Sequence, residues 1–106
     1  YAATKAAIIQ FTRSIALQYA KKGIRCNSIL PGLMHTPMVE ARLASQRTKG
    51  DSKKLIKDRN NAVPMGWMGD GRDTANAALF LASNEARFVT ATEIIVDGGR
   101  SAASPY

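Results

Sequence analysis

Tyr1 and Lys5 stand four residues apart at the start of a segment with helical periodicity, a spacing that puts both side chains on one face. A phenol ionises near pH 10 (about 10 in model peptides) and is a poor general base at neutral pH. An ammonium group a few ångströms away stabilises the phenolate and lowers that pKa. Such a pair can take a proton from an alcohol or return one to a carbonyl oxygen. Taken alone, a Tyr and a Lys at this spacing are most often surface or packing residues, so the elements around them carry the argument.

The segment from Tyr1 to about Lys22 repeats Ala7, Ile8, Phe11, Ile15, Ala16 and Tyr19 at intervals of three and four, which predicts a helix. Lys21 and Lys22 suit its C-terminus, and Gly23 is the natural stop. Ile24 to Leu30, closed by Pro31-Gly32, reads as a strand. Thr36-Pro37 starts a second helix that Met38, Val39, Ala41, Arg42, Leu43 and Gln46 can continue until Gly50-Asp51. Ser52 to Arg59 reads as a further short helix ended by Asn60-Asn61. This insert is longer than an ordinary connection, which fits a binding loop or lid at 37–61.

Three glycines, Gly66, Gly69 and Gly71, mark a turn-rich stretch. Asp73 or Thr74 then caps a helix through Ala82 or Ser83, with Ala75, Ala78, Leu79, Leu81 and Ala82 as its buried side. Thr92 to Val96 reads as the last strand, Asp97-Gly98-Gly99 as its closing turn, and Ser101 to Tyr106 as a tail.

Helix, strand, insert, helix and strand form the alternation of an α/β fold with a parallel sheet. Two strands are too few for such a sheet. The first residue is Tyr1 and not Met, and no Ser, Thr, Asp or Asn precedes the first helix to cap it. The expectation is therefore the C-terminal part, residues 1–106, of a single larger domain whose N-terminal half lies upstream.

Fifteen Lys and Arg against eight Asp and Glu leave a net charge of +7. Seven of the fifteen bases lie between Arg42 and Arg59, with no interleaved aromatic face and no zinc-finger, KH or RNP pattern. That argues against a nucleic-acid partner and fits an acidic substrate or simple solubility. The single Cys26 cannot form an internal disulfide and reads as a buried structural thiol. The single His35 gives no metal-site spacing and reads as a loop residue. No apolar run approaches a membrane span and no signal-peptide core is visible, so a cytoplasmic location is the default expectation.

The ordered set of motifs resembles the short-chain dehydrogenase/reductase family. Tyr1-Ala2-Ala3-Thr4-Lys5-Ala6-Ala7 is similar to its active-site Tyr-x-x-x-Lys segment, and Gly23 to Gly32 to the strand and Pro-Gly turn that follow. Thr36, Pro64-Met65-Gly66, Asp73-Thr74-Ala75, Leu79 to Ser83, Thr90 and Asp97-Gly98-Gly99 continue the likeness in order. Two positions depart from it: Trp67, a packed aromatic by expectation, stands where many relatives carry Arg, and Ala91 where a Gly commonly precedes the last strand.

The resemblance implies a Rossmann-like doubly wound parallel sheet of which the nucleotide-binding half is absent here, and an NAD or NADP cofactor. It implies an oxidoreductase that moves a hydride between nicotinamide and a secondary alcohol or ketone. Tyr1 would be the acid/base, and Lys5 would lower its pKa and hold the nicotinamide ribose. Pro31 and Gly32 would wall the ring, while Met34 and Thr36 would hold the carboxamide or a nearby phosphate. Relatives assemble as homodimers or homotetramers. The phosphate-cradling glycines, the catalytic Ser, the relay Asn and the residue that selects NAD or NADP would lie upstream, so residues 1–106 alone are expected to be inactive. A non-catalytic binding or oligomerisation fragment is the alternative.

Overall fold

The computed structural model describes residues 1–45 and 52–103. Helix α1 spans Ala2–Tyr19 and tightens into a 3-10 turn at Ala20–Lys22. Gly23 ends it in the left-handed region (φ 77°), donating its amide to the Ala20 carbonyl at 3.0 Å. Strand β1 is Ser28–Pro31, so the predicted strand starts four residues later than its apolar run. Helices α2 (Pro37–Ser45) and α3 (Ser52–Asn61) fill the insert. Gln46, the expected break at Gly50-Asp51 and the end of the tail at 104–106 lie outside the described residues.

Helix α4 runs Gly71–Ala82, and strand β2 is Glu93–Val96. The cap of α4 is not Asp73 or Thr74. Asp70 accepts the Arg72 amide at 2.7 Å, and Asp73 reaches back to accept the Asp70 amide at 2.8 Å. This reciprocal pair is a capping box, which satisfies two amides at the helix entrance. The tail also begins in order, as a 3-10 turn at Arg100–Ala102.

Strands β1 and β2 pair in parallel. Ala91 donates to the Cys26 carbonyl, Ser28 to Thr92 and Gly32 to Val96, each at 2.9 Å. Asn27 reinforces the entry: its side chain donates to the Val89 carbonyl at 3.0 Å and accepts the Thr92 amide at 3.1 Å. Cys26 is half-buried, not the buried thiol expected, and is a free cysteine.

The chain forms two compact units, residues 1–30 with 76–95, and 31–75 with 96–106. In the first, Ala16 and Ala86 are the buried apolar residues, and Thr12 and Ser28 the buried polar ones. In the second, Val63 and Met68 are buried. The expected buried side of α4 is not covered: Leu79 is 69% exposed, and Ala75, Ala78 and Ala82 are exposed. A groove of about 380 Å³, lined by Ile29, Ala78 and Leu81 among others, stands open beside that helix. The two strands of the sheet present too little apolar surface to close it. No helix among the described residues is long and apolar enough to cross a membrane.

Ala91 adopts φ 57°, the only described non-glycine residue with positive φ. A side chain in this left-handed conformation costs roughly 1–2 kcal/mol. A glycine would adopt this conformation without that cost. Ala91→Gly is expected to raise stability by about 1 kcal/mol, read as a higher urea midpoint. A lower midpoint would show that the Ala91 methyl contributes more than the strain costs.

Candidate active site

Tyr1 is the N-cap residue of α1; its side chain makes no capping bond and is 96% exposed. Its carbonyl accepts the first helical bond, from the Lys5 amide at 3.1 Å. One turn on, the Lys5 ammonium lies 5.5 Å from the Tyr1 ring centroid. The helix thus brings together the two residues that the spacing singles out. Lys5 has no ion pair with any described residue, so its charge is available to the phenol and to a ligand.

Pro31, the last residue of β1, lies in the second unit with Gly32, Met34 and Thr36 on the loop that leaves the strand. Gly32 is there because the space is taken: a Cβ on it would lie 2.5 Å from the Asp97 Cβ and 2.7 Å from the Asp97 Cα. Met34 forms a parallel bridge with Gly69, and the His35 amide donates to the Gly69 carbonyl at 2.7 Å. Thr36 caps α2: its hydroxyl accepts the Val39 amide at 3.4 Å, and its carbonyl accepts the Glu40 amide at 3.1 Å. As an acceptor in that long bond, the hydroxyl keeps its own proton for an outside partner.

The first unit offers an exposed phenol and, among the described residues, an ammonium without a carboxylate partner. The second offers a hydroxyl with a free proton and a glycine-shaped turn. Neither offers a glycine cradle for a pyrophosphate among the described residues. Gly66, Gly69 and Gly71 follow no strand; Gly69 is bridged to Met34, and Gly71 opens α4.

Four features escaped the sequence reading. His35, read as a loop residue, pairs with Glu40 in the first turn of α2, Nε2 to Oε1 at 3.1 Å. Arg100 donates to the Ala62 carbonyl just past α3 at 2.9 Å. Arg13 of α1 forms an ion pair with Glu93 of β2. Asp97 accepts the Gly99 amide at 2.9 Å and the Ser101 amide at 2.7 Å. Only Asp97 carried a sequence signal, a carboxylate directly before two glycines that leave amides open to it. Trp67, expected as a packed aromatic, is 49% exposed.

A family model described as Enoyl-(Acyl carrier protein) reductase matches residues 1–101. The chain is 41% identical over 99 residues to the oxidoreductase UcpA of Escherichia coli strain K12, covering 93% of this chain and 37% of that protein. It is 42% identical over 99 residues to 3beta-hydroxysteroid dehydrogenase 1 of Eggerthella lenta, covering 93% and 35%. A solved structure from Burkholderia xenovorans, put forward as a short-chain dehydrogenase/reductase, matches with a TM-score of 0.86 and 59% identity. That match covers 98% of this chain and 38% of the other. The chain therefore spans little more than a third of the length of the curated relatives it matches.

Two outcomes follow from the turn at Asp97. Gly32→Ala forces a methyl into the Asp97 backbone and is expected to cost about 1–3 kcal/mol of stability in urea unfolding; an unchanged midpoint would show that the turn yields. The Ser101 hydroxyl and then its amide hold the Asp97 carboxyl below its ordinary value against an opposing effect of burial, with lesser help from the Gly99 and Arg100 amides. A carboxylate favoured in the folded state adds stability above the ordinary carboxylate range, and that stability is lost as pH falls through the depressed native value. Asp97→Asn should therefore flatten the acid side of the stability–pH curve, and an unaltered slope would count against this role.

Proposed function

Because the chain belongs to the short-chain dehydrogenase/reductase family, we propose that the protein carrying it is an NAD- or NADP-dependent oxidoreductase acting on a secondary alcohol or ketone. The observation that supports this most directly is the Lys5 ammonium held 5.5 Å from the Tyr1 ring on the first turn of α1. The name of the Eggerthella relative, a 3beta-hydroxysteroid dehydrogenase, is consistent with an alcohol substrate.

In this reading the Tyr1 hydroxyl is the acid/base. It takes the proton from the alcohol oxygen during oxidation and returns it to the carbonyl oxygen during reduction. Lys5 stabilises the phenolate by its charge and donates a hydrogen bond to a ribose hydroxyl. Pro31 and Gly32 form the wall beside the ring, and the Met34 backbone and Thr36 hydroxyl hold the carboxamide or a nearby phosphate. A bound nicotinamide supplies the hydride chemistry, while the protein orients the reactants and manages the proton. Residues 37–61 act as the cover over the substrate, a role that α2 and α3 are long enough to fill.

Tyr1→Phe keeps the ring and removes the proton. In the full-length protein it is expected to lower kcat at least about 100-fold with KM nearly unchanged. Lys5→Met should lower activity strongly, since the phenolate loses its counter-charge. Tyr1→Phe with wild-type turnover would end this assignment. The described residues contain no pyrophosphate-cradling glycine turn, so the isolated chain is expected to give no nicotinamide reduction above a buffer control. Turnover by it would place the whole cofactor site within these residues.

A second reading has its own observation. Ile8 and Phe11 of α1 are 50% and 67% exposed and share an apolar face of the kind that pairs subunits. On this reading the chain's helices serve assembly as a homodimer or homotetramer. Sedimentation of the full-length protein tests it: Phe11→Ser should dissociate the assembly, and an unaltered sedimentation coefficient speaks against this face.

A further inference from the structure

The surplus positive charge is not spread over the chain. Residues 42–59 hold seven bases against Asp51 and Asp58, which leaves five of the chain's seven net positive charges in that stretch. Within it, Lys53, Lys54 and Lys57 of α3 are all exposed. No carboxylate among the described residues lies within ion-pairing distance of them. Asp58 is the single acid in α3, and the nearby Glu40 is engaged by His35.

Helix stability does not explain the lysines. Lys53 and Lys54 stand in the first turn of α3, which holds no acid. That end of a helix favours carboxylates and disfavours cations. Lys53 and Lys57 are one turn apart and share a face, while Leu55, Ile56, Arg59 and Asn60 are half-buried. The cations thus form a distinct exposed row on a helix whose other residues hold it in place.

Within its unit, α3 is tied to the loop that carries the cofactor residues. Arg59 Nε lies 3.3 Å from the Met68 sulfur, and the Met68 amide donates to the Asn60 side-chain oxygen at 2.9 Å. The next residue, Gly69, is bridged to Met34 and accepts the His35 amide. Two short links therefore join the cationic helix to the Pro31–Thr36 loop. A local concentration of unpaired positive charge beside a site draws and orients anions, and does so more weakly as salt rises.

We propose that Lys53, Lys54 and Lys57 make this a site for anionic substrates, carbonyl or alcohol compounds that carry a carboxylate or phosphate group. The inference rests on the oxidoreductase reading and names its substrate class. The lysines bind the anionic end of the substrate.

The test uses the full-length protein and two matched pairs: acetoacetate with methyl acetoacetate, and dihydroxyacetone phosphate with dihydroxyacetone. Turnover is followed by nicotinamide absorbance, and binding separately by calorimetry. The anionic member of at least one pair should be preferred, and the pair that shows it distinguishes carboxylate from phosphate. Replacing Lys53, Lys54 and Lys57 together by Gln should reduce that preference about tenfold, and raised salt should do the same. Lys21→Gln with Lys22→Gln, at the end of α1, is the control for general charge and should leave the ratio in place. Lys53→Glu with Lys54→Glu should leave the urea midpoint equal or higher, since acids suit that turn, while still abolishing the preference. Anion binding that is lost in the Gln variant, without turnover of any probe, would sink the oxidoreductase reading and leave this inference standing. Equal preference within both pairs, or a preference that survives the Gln variant, overturns the inference.

Discussion

The parallel pairing of β1 with β2 is the constraint on which the rest depends. Parallel neighbours cannot be joined by a tight hairpin, so the chain must leave the sheet and return by a crossover. Helices α2, α3 and α4 all lie in that one crossover. The pairing runs from the Ala91–Cys26 bond to the Gly32–Val96 bond. At its far end the sheet closes on a contact that admits no side chain, Gly32 against the Asp97 backbone. Asp97 then spends its carboxylate on the amides of Gly99 and Ser101, which fixes the turn where the strand stops. The loop bearing Gly32, Met34 and Thr36 therefore departs from a defined point.

Polar contacts, more than apolar burial, organise the described residues. Only Ala16, Val63, Met68 and Ala86 are buried among their apolar side chains, and Phe88 is 99% exposed. Against this, Asn27 bonds twice across the strand entry, Arg25 reaches toward the Val89 and Ser83 carbonyls, and Arg100 holds the Ala62 carbonyl. Each such bond contributes about 1 kcal/mol net, so their value lies in fixing geometry. A chain spanning little more than a third of its relatives' length, with Phe11, Leu17 and Leu79 outward, has apolar surface that its own described residues do not cover.

The insert combines two roles that use different chemistry. Thr36, Asn60 and Arg59 anchor it through hydrogen bonds at helix ends, where unpaired backbone and side-chain groups converge. Its exposed lysines make none of these bonds. Anchoring and charge are thus carried by separate residues, and a change in one need not disturb the other.

The sequence by itself determined the order of elements and the placing of Tyr1 and Lys5 on one face of the first helix. Helical periodicity, Gly23 after two lysines, Thr36 before Pro37 and the spacing of Tyr1 from Lys5 are local signals, set by steric and hydrogen-bonding preferences within a few residues. Three things needed the tertiary structure. Asp70, Asp73 and Thr74 can all cap a helix, and only the path of the backbone out of the Gly69 bridge makes Asp70 the cap and Asp73 its partner. The left-handed turn at Ala91 is invisible in the letter Ala, because it is imposed by the bond to Cys26 far away in the chain. Burial failed as a sequence inference for α4, since its apolar stripe records which face can be covered while the exposure of Leu79 depends on whether a neighbour is there to cover it.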